Sequence, residues 1–495
     1  MLCNPNPRMT AGDPAKLVAP ALREAGYTLP AIRNLIGGER TLSSGADDRV
    51  VFERRFAGSS PLDLAARLLL LDLEVDGAAW DRGLPALPAA ALEELGIVER
   101  RGGALRARAR LVPHGDLYVT SDPHSDAAGL EHVTGISNPA VLLSDLAVRR
   151  PVALGLDLGC GGGIQALLMS RHCAKVIATD INPRALEFTR LNARLNGISN
   201  IETRLGSLFE PAGDLRFDLI LCNPPYVISP ESRLLYRDSG MAGDSLCRQI
   251  VGEAGLHLAE GGFAQMLVSW AQVGDRPWQE TLEDWLGSAP CDAWFLHYLT
   301  EDPLTHAAKW NRPETPAGLA GFAAAVDSWT AYFSEQGIDA VGFGSVTMRR
   351  RSGGRNWRRS DALREAHGSA GNHILRVFAA EDLLRALPDE EALFGTRWRL
   401  APGHRLEQSL VQGPEGGWHP LETRLAMTEG FGFSGSIDLP LAQMLQHLDG
   451  KRTVADAVGM AAKEVGIPRA ELAAYRRAAG QTVRRLLELG LLEAE

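Results

Sequence analysis

Short apolar runs alternate with segments of helical spacing through the middle of the chain. Seven of the apolar runs have the length of buried strands: 152–158, 175–179, 201–205, 217–222, 263–270, 293–299 and 340–348. Helical spacing fills intervening segments at 164–172, 183–196 and 244–259. Strands and helices that alternate in this way form parallel sheets with helices on both faces. The pattern therefore predicts an α/β fold with a Rossmann-like seven-stranded sheet.

Different patterns flank this region. Residues 13–121 are mainly helical and end in a predicted hairpin, in which Gly102-Gly103 joins 97–101 to 105–112. Beyond residue 383, short strands precede helical segments: 396–400, 405–411, 439–448, 454–465 and 482–489. Both layouts predict winged-helix-like α+β modules, which hold nucleic acid in some proteins and protein partners in others.

The predicted organisation has three parts. They are an N-terminal winged-helix-like recognition module at 1–125, an α/β domain at 126–380 and a C-terminal winged-helix-like module at 381–495. Between the last two predicted strands, a largely helical insert at about 301–337 either caps the candidate site or lies at the sheet edge. A chain of 495 residues is long for one domain, which agrees with this division.

Composition and charge argue against several classes of protein. The net charge of −10 argues against a general nucleic-acid binder. The six cysteines form no C-x-x-C pair, so neither a zinc site nor a disulfide framework is expected, and a reducing cytoplasm is the simplest compartment. The first ten residues lack a signal pattern, and the longest apolar run, 64–73, contains charges and is too short to cross a bilayer.

Residues 113–126 are predicted to form a polar linker. They include side chains of the types that bind metals: His114, Asp116, Asp122, His124 and Asp126. Because their spacing is irregular, a loop is favoured over a metal centre, and no metal site is predicted.

A glycine-rich turn follows the first predicted strand, with the sequence Gly159-Cys160-Gly161-Gly162-Gly163. Such a turn lets the backbone approach a ligand closely, and it serves either a dinucleotide or S-adenosylmethionine. Gly161, Gly163 and Ala166 fit the dinucleotide pattern G-x-G-x-x-A, but that pattern alone has low specificity.

Two carboxylates narrow the choice of ligand. Asp157 lies just before the turn, where it can reach the cationic amino-acid end of S-adenosylmethionine, a group that dinucleotides lack. Asp180 ends the second predicted strand, where it can accept hydrogen bonds from ribose hydroxyls.

The tetrapeptide Asn223-Pro224-Pro225-Tyr226 follows the fourth predicted strand. Two prolines stiffen the chain and fix the directions of its carbonyl groups. The Asn223 amide and the Pro224 carbonyl can accept hydrogen bonds from a planar NH₂ group, and Tyr226 can stack on the plane of that group. The tetrapeptide therefore favours chemistry on an amide or exocyclic amino nitrogen.

Together these motifs resemble those of class I S-adenosylmethionine-dependent methyltransferases, across about residues 136–270. The resemblance is strongest to the small-domain branch, which contains the release-factor glutamine and ribosomal RNA guanine amino-methyltransferases. It implies that Asn223, Pro224, Pro225 and Tyr226 are catalytic. The cofactor contacts that it implies are Asp157, Gly159, Gly161, Gly163, Asp180, Ile181, Ser207, Leu208 and Asn223.

One position departs from the family pattern. Ser207, in the segment Gly206-Ser207-Leu208-Phe209, stands where relatives often carry an aspartate that contacts the adenine amino group. A serine hydroxyl can accept the same hydrogen bond more weakly, so a lower cofactor affinity is expected unless a backbone carbonyl compensates.

Two further segments are candidates for contact with the substrate. Arg349, Arg350 and Arg351 leave the last predicted strand, and Trp357 follows them, an arrangement that suits phosphate and base contacts. Residues 236–244, after the tetrapeptide, are predicted to form a loop over the acceptor pocket.

The leading hypothesis is therefore methylation of a planar nitrogen in a macromolecule, either nucleic acid such as ribosomal RNA or a protein glutamine. A non-catalytic regulator that binds cofactor or nucleic acid is the first alternative, and a peptide-modifying methyltransferase is the second. A dinucleotide oxidoreductase is a third, based on the G-x-G-x-x-A pattern. The expected partner is RNA or protein, not a membrane, and the oligomeric state stays open.

Overall fold

The computed structural model describes residues 12–36, 46–123, 129–231, 237, 240–311, 318–363 and 368–494. The chain divides into two compact units, Met1–Ser144 with Arg150–Ala362 and Asp145–Arg149 with Leu363–Glu495. The domain boundaries near residues 125 and 380 stay predictions. Within the described residues, no helix is long and apolar enough to cross a membrane.

The first unit begins with helices and a small sheet. Its elements are α1 (Ala15–Glu24), α2 (Leu29–Ile36), α3 (Ala46–Arg55), α4 (Pro61–Ala65), a π-helical turn (Ala66–Leu70), β1 (Val75–Asp76), α5 (Gly77–Gly83), α6 (Ala89–Glu94), β2 (Val98–Arg101) and β3 (Ala104–Ala107). The three strands pair antiparallel in the order β1-β3-β2. The predicted hairpin is confirmed, although its second strand ends at Ala107.

A second hairpin follows, where a linker was predicted at 113–126. β4 (Arg110–His114) pairs antiparallel with β5 (Leu117–Ser121), and all five side chains of β5 are buried. The linker prediction was wrong for this stretch, because the few apolar residues of β5 are enough to anchor a short strand. His124 and Asp126 lie outside the described residues.

The remainder of the first unit is a layered α/β structure. Its elements are α7 (Asn138–Leu146), β6 (Val152–Leu158), α8 (Ile164–Met169), β7 (Cys173–Asp180), α9 (Pro183–Leu195), β8 (Ile201–Leu205), a 3₁₀ turn (Glu210–Ala212), β9 (Phe217–Cys222), α10 (Ser245–Ala254), β10 (Leu258–Gln272), α11 (Trp278–Leu286), β11 (Cys291–Glu301), α12 (Pro303–Asn311), α13 (Gly318–Glu335), β12 (Ala340–Arg350) and β13 (Arg358–Ala362). The predicted Rossmann-like α/β fold is confirmed.

The sheet has eight strands in the order β13-β11-β12-β10-β9-β6-β7-β8, one more than predicted. β12 runs antiparallel to both of its neighbours, and the other pairs are parallel. The additional strand is β13, which follows the basic segment predicted to contact the substrate. Its sequence, Arg-Arg-Ser-Asp-Ala, lacks the apolar run of a buried strand, because it pairs at the sheet edge with β11 alone.

The second unit combines helices with two three-stranded sheets. Its elements are α14 (Gly371–Ala386), α15 (Glu390–Phe394), β14 (Arg397–Leu400), β15 (His404–Gln412), β16 (Trp418–Met427), β17 (Ser434–Ser436), α16 (Leu439–Leu445), β18 (Asp449–Thr453), α17 (Val454–Val465), α18 (Leu472–Glu488) and β19 (Leu492–Glu493). The sheet orders are β18-β14-β19 and β15-β16-β17. The predicted strands and helices of this region are present, although the last helix begins ten residues before its predicted start at 482.

Candidate active site

The register of the central sheet brings three strand ends together. Leu158 of β6 pairs with Thr179 of β7 on one side and with Cys222 of β9 on the other. The residues that follow these positions are Gly159, Asp180 and Asn223, so the predicted cofactor and catalytic motifs lie at one carboxyl edge. Ligands of open parallel sheets bind at this edge.

The glycine turn has the backbone that its sequence predicts. Gly159, Gly161 and Gly163 have φ values of 70°, 51° and 82°, which side chains larger than hydrogen rarely adopt. At Gly163 a Cβ would also lie 2.7 Å from the Thr189 hydroxyl. The turn therefore presents bare backbone to any ligand above it.

Asp180 holds the turn through backbone hydrogen bonds. Its Oδ2 accepts the N–H of Gly161 at 2.9 Å and its Oδ1 accepts the N–H of Asn182 at 2.9 Å. Burial raises the pKa of Asp180 above the ordinary range of an aspartate. The neighbouring Ile181 is 52% exposed, so it offers an apolar surface beside this carboxylate.

Asp157 lies beneath the turn. It is 1% exposed, and its Oδ2 accepts the Ala166 N–H at 2.8 Å. Burial raises the pKa of Asp157 to about 7, and the nearby negative charge of Asp180 adds to the shift. A cation placed close to this carboxyl group would favour its ionised form.

The Gly206-Ser207-Leu208 segment lies next to Asp180. The Gly206 N–H donates to the Asp180 backbone carbonyl at 3.1 Å, and the Ser207 side chain is exposed. Leu208 has a φ of 47°, a left-handed conformation that costs a residue with a branched side chain free energy. Strained residues of this kind cluster at ligand sites.

Asn223 carries an unsatisfied polar atom. Its Oδ1 is buried and has no hydrogen-bond partner among the residues that the structure describes. Leaving such a group unpaired costs about 1–3 kcal/mol, so buried polar atoms are nearly always satisfied. The side chain is therefore suited to a donor that comes from outside the chain.

Tyr226 closes the tetrapeptide with its ring half-buried. The Ser269 hydroxyl donates to the Tyr226 backbone carbonyl, which fixes the chain at this point. The Tyr226 ring lies 5.1 Å from that of Phe343, and burial raises the pKa of its phenol.

An aromatic wall extends from Tyr226, and its other members were missed by the sequence analysis. The Phe343 ring also lies 5.9 Å from Tyr298, whose hydroxyl is 2.7 Å from that of Ser345. Phe343 lies between two glycines of β12, Gly342 and Gly344, where a Cβ would come within 2.1 Å of Trp270 and 2.0 Å of the Leu296 carbonyl. A Gly-Phe-Gly triplet within an apolar strand was the available signal, since it marks close packing around one aromatic ring.

The insert packs directly behind the tetrapeptide. α13 lies within the predicted helical insert, and its Trp329 and Phe333 form one buried cluster with Val227 and Ile228. The Tyr332 hydroxyl accepts the Gly243 N–H at 3.1 Å. These contacts join the insert to the tetrapeptide and to the loop that follows it, and its predicted role, as a cap over the site or as decoration of the sheet edge, stays open.

The loop after the tetrapeptide is described in part. The Val227 N–H donates to the Arg237 carbonyl at 3.3 Å, and the Arg237 guanidinium lies 5.8 Å from the centre of the Trp329 ring. Asp244 accepts the Ala271 N–H at 3.0 Å and so joins the loop to β10. Tyr236, Asp238 and Ser239 lie outside the described residues.

The basic segment does not join this site. Arg349 and Arg350 pair in the sheet with Phe263 and Cys291, at the amino ends of β10 and β11, so they lie at the opposite edge. Arg350 donates to the Gly255 carbonyl at 2.7 Å.

The side chains of this segment are engaged within the fold. Arg349 and Arg351 contact the fully buried Asp292 at 2.6 and 2.8 Å, and the Trp357 N–H donates to the same carboxylate. Trp357 is 1% exposed, so it cannot stack on a base. Asp292 accounts for the positions of Arg349, Arg351 and Trp357 within the fold, because an isolated buried carboxylate needs positive partners and recruits them from this segment. Binding of substrate by Arg349, Arg350, Arg351 and Trp357 stays a prediction, and these contacts do not support it.

Comparison with known proteins places these motifs in a family. The methyltransferase small domain model matches residues 137–288. Two models for domains of unknown function, DUF7059 and DUF7782, match residues 24–108 and 376–494.

Several curated relatives resemble the chain. The release factor glutamine methyltransferase of Xylella fastidiosa is 31% identical over 226 residues, covering 42% of this chain and 80% of the relative. That of Cereibacter sphaeroides is 33% identical, covering 42% and 78%. The ribosomal protein uL3 glutamine methyltransferase of Bradyrhizobium diazoefficiens is 35% identical over 145 residues, covering 26% and 46%.

Solved structures match more weakly. A methyltransferase from Pyrococcus furiosus is 16% identical and covers 46% of this chain and 89% of that one, with a TM-score of 0.28. The geranyl diphosphate C-methyltransferase of Streptomyces coelicolor is 13% identical, covering 43% and 77%, with a TM-score of 0.28.

Proposed function

The chain belongs to the small-domain branch of class I S-adenosylmethionine-dependent methyltransferases, and we propose that it methylates the side-chain nitrogen of a glutamine in a protein. The observation that carries this proposal is the buried Asn223 oxygen, which has no hydrogen-bond partner in the described part of the chain and opens the tetrapeptide that Tyr226 ends. The names of the relatives agree, since they are glutamine methyltransferases acting on a release factor or on ribosomal protein uL3.

The carboxyl edge of the sheet fits the cofactor. Bare backbone at the glycine turn, the buried Asp157 and the exposed Ile181 provide close approach, a partner for a cation and an apolar surface for a flat ring. The residues proposed to hold S-adenosylmethionine are Asp157, Gly159, Gly161, Gly163, Asp180, Ile181, Ser207, Leu208 and Asn223. When bound, the cofactor supplies a methyl group activated by its sulfonium charge.

The tetrapeptide orients the acceptor. The nitrogen of an amide is a poor nucleophile because its lone pair is delocalised into the carbonyl group. Hydrogen bonds from its two N–H groups to Asn223 Oδ1 and the Pro224 carbonyl raise its electron density and fix its plane, while Pro225 keeps the chain rigid. Tyr226 and Phe343 then confine the flat group from the side. Positioning of this kind supplies about 7–11 kcal/mol in favourable cases.

The flanking parts of the chain are proposed to hold the protein that carries the glutamine. The N-terminal order α4-β1-α5-α6-β2-β3, with sheet order β1-β3-β2, supports a winged-helix-like module. In the second unit, β14 between β18 and β19 supports a similar arrangement.

A reducing cytoplasm is the proposed compartment, supported by the free buried thiols of Cys160, Cys173, Cys222, Cys247 and Cys291.

No described contact favours nucleic acid as the substrate. An exocyclic amino group of a base has the same planar chemistry, but the basic segment that favoured it is engaged by Asp292. The protein glutamine is therefore the better-supported acceptor.

Transfer of label from the cofactor identifies the acceptor. The full chain is incubated with methyl-labelled S-adenosylmethionine and either protein or RNA from cells that lack the gene, with Asn223→Ala as the control. The expected product is N-methylglutamine in a protein digest, with a release factor and ribosomal proteins tested first. Label confined to RNA nucleosides would contradict the proposal, and equal labelling by the variant would overturn the role of Asn223.

A further inference from the structure

One helix holds the glycine turn from behind through two polar side chains. On α9, the Thr189 hydroxyl donates to the Gly161 carbonyl at 2.9 Å, and the Asn192 amide donates to the Gly162 carbonyl at 2.8 Å. Both side chains are fully buried. In a planar trans peptide the carbonyl of one residue points opposite to the N–H of the next, so the Thr189 bond directs the Gly162 N–H away from α9. The Asn192 bond fixes the following peptide unit, whose Gly163 N–H donates to the Cys160 carbonyl at 2.7 Å and closes the turn.

Asn192 is itself held by the strand β5. Its Oδ1 accepts the backbone N–H of Thr120 at 2.7 Å and the Thr120 hydroxyl at 2.6 Å. Its amide nitrogen also donates to the Thr120 carbonyl at 3.1 Å. Two accepted and two donated bonds use the full capacity of an asparagine, so the side chain has a single orientation.

A second asparagine provides an internal comparison. Asn196 lies one turn further along, just beyond the end of α9. It bonds to the backbone of Tyr118 as Asn192 bonds to the backbone of Thr120. It accepts the Tyr118 N–H at 2.9 Å and donates to the Tyr118 carbonyl at 2.7 Å. The two side chains thus bind alternate residues of β5, but Asn192 alone of this pair is bonded to the turn in the described structure.

We propose that Asn192 is a positioning residue for the cofactor turn, needed for tight binding of S-adenosylmethionine and not only for the attachment of β5. This inference rests on the assignment of the turn to the cofactor in the proposed function. Removing the amide leaves the Gly162 carbonyl without this donor, which frees the turn to rotate away from the conformation that binds.

Calorimetric titration of the full chain with S-adenosylhomocysteine tests the proposal without any acceptor. Asn192→Ala is expected to raise the dissociation constant about tenfold, which is the effect of losing one typical hydrogen bond. Asn196→Ala, which loosens the same strand, is expected to lower the melting temperature similarly and to leave the dissociation constant within about twofold, since Asn196 is not bonded to the turn. Asp180→Ala is included to test the cofactor site itself.

The outcomes separate the two assignments. If Asp180→Ala weakens binding but Asn192→Ala does not, the role of Asn192 is overturned and the cofactor site stands. Equal weakening by the two asparagine variants also overturns it, because loss of the strand attachment would then be sufficient. Wild-type affinity in both Asp180→Ala and Asn192→Ala would overturn the cofactor site. Should Asn192→Ala fail to fold, Asn192→Asp keeps the side-chain shape and the bonds from Thr120, and it is expected to weaken binding at least as strongly.

Discussion

The Asp180 carboxylate accepts the backbone N–H of Gly161 at 2.9 Å and so connects the end of one strand to the turn after its neighbour. The Cys160 N–H donates to the Thr179 carbonyl at 2.9 Å beside this bond. The conformation of the turn is therefore set by β7 as well as by its own glycines. Substitutions at this edge are expected to separate cofactor binding, methyl transfer and stability from one another.

Replacing Asn223 by alanine is expected to lower the rate of methyl transfer about 100-fold, the usual effect of removing one aimed hydrogen-bonding group. The melting temperature should not fall, because the Oδ1 atom that is removed has no partner among the described residues. Single-turnover rates and thermal melts of the wild type and the variant check both statements. A destabilised variant that retained activity would show that the side chain is structural.

The Tyr226 ring is expected to act through its plane and not through its hydroxyl. Tyr226→Phe keeps the ring beside Phe343 and should retain kcat/KM within about threefold, whereas Tyr226→Ala should lose about tenfold from the missing aromatic contact. Steady-state kinetics with one peptide acceptor compares the two variants. Equal losses of kcat/KM in the two variants would show that the Tyr226 hydroxyl, and not the plane of the ring, is needed for methyl transfer.

Asp157 makes the stability of the folded protein depend on pH. Its folded pKa of about 7 lies above the value of about 4 in an unfolded chain, so between these pH values the folded state binds a proton that the unfolded state does not. The stability contributed by this group is therefore fully present below pH 4, falls as the pH rises to about 7 and is constant above that value. Without cofactor, the melting temperature of Asp157→Asn should rise relative to the wild type over this window.

Cofactor binding should change with pH in the opposite sense. The ionised Asp157 is the form that attracts a cationic amino group, so affinity for S-adenosylmethionine should increase as the pH rises towards about 7 and then level off. Calorimetry at several pH values with Asp157→Asn as the reference checks this. Parallel profiles for the two proteins would exclude Asp157 as the titrating group.

Asp292→Ala is expected to destabilise the fold by about 3 kcal/mol, because it leaves Arg349 and Arg351 without their buried partner. Cofactor affinity should be unchanged, since this cluster lies at the opposite edge of the sheet. Urea unfolding measures the loss of stability. Glu260→Ala is the matched control, because Glu260 contacts Arg350 from the exposed surface and should change stability little. Wild-type stability of Asp292→Ala would contradict the structural role of these ion pairs.

The sequence predicted the structure best at positions that require one residue type for a single physical reason. The glycine turn, a carboxylate at a strand end and paired prolines predict a site at the carboxyl edge of the sheet, and the register places these residues there. The α/β alternation likewise predicted the sheet, because buried parallel strands need continuous apolar runs.

Such local patterns could not predict side-chain partners that come from distant segments of the chain. A run of arginines gives no sign that Asp292, 57 residues before Arg349, lies buried between them. A polar strand such as β13 pairs at an edge, so its sequence carries no apolar signature. Asn192 was hidden for the same reason, because its partner Thr120 lies 72 residues away.

The insert joins β11 to β12, which are antiparallel neighbours whose connection lies at the carboxyl edge. A connection of this type needs no crossover, so its length can change without altering strand order or register. The helices behind Tyr226 can therefore diverge while the glycine turn and Asp180 stay fixed. Exchange of this segment can therefore change the packing behind the tetrapeptide while the residues proposed to hold the methyl donor are preserved.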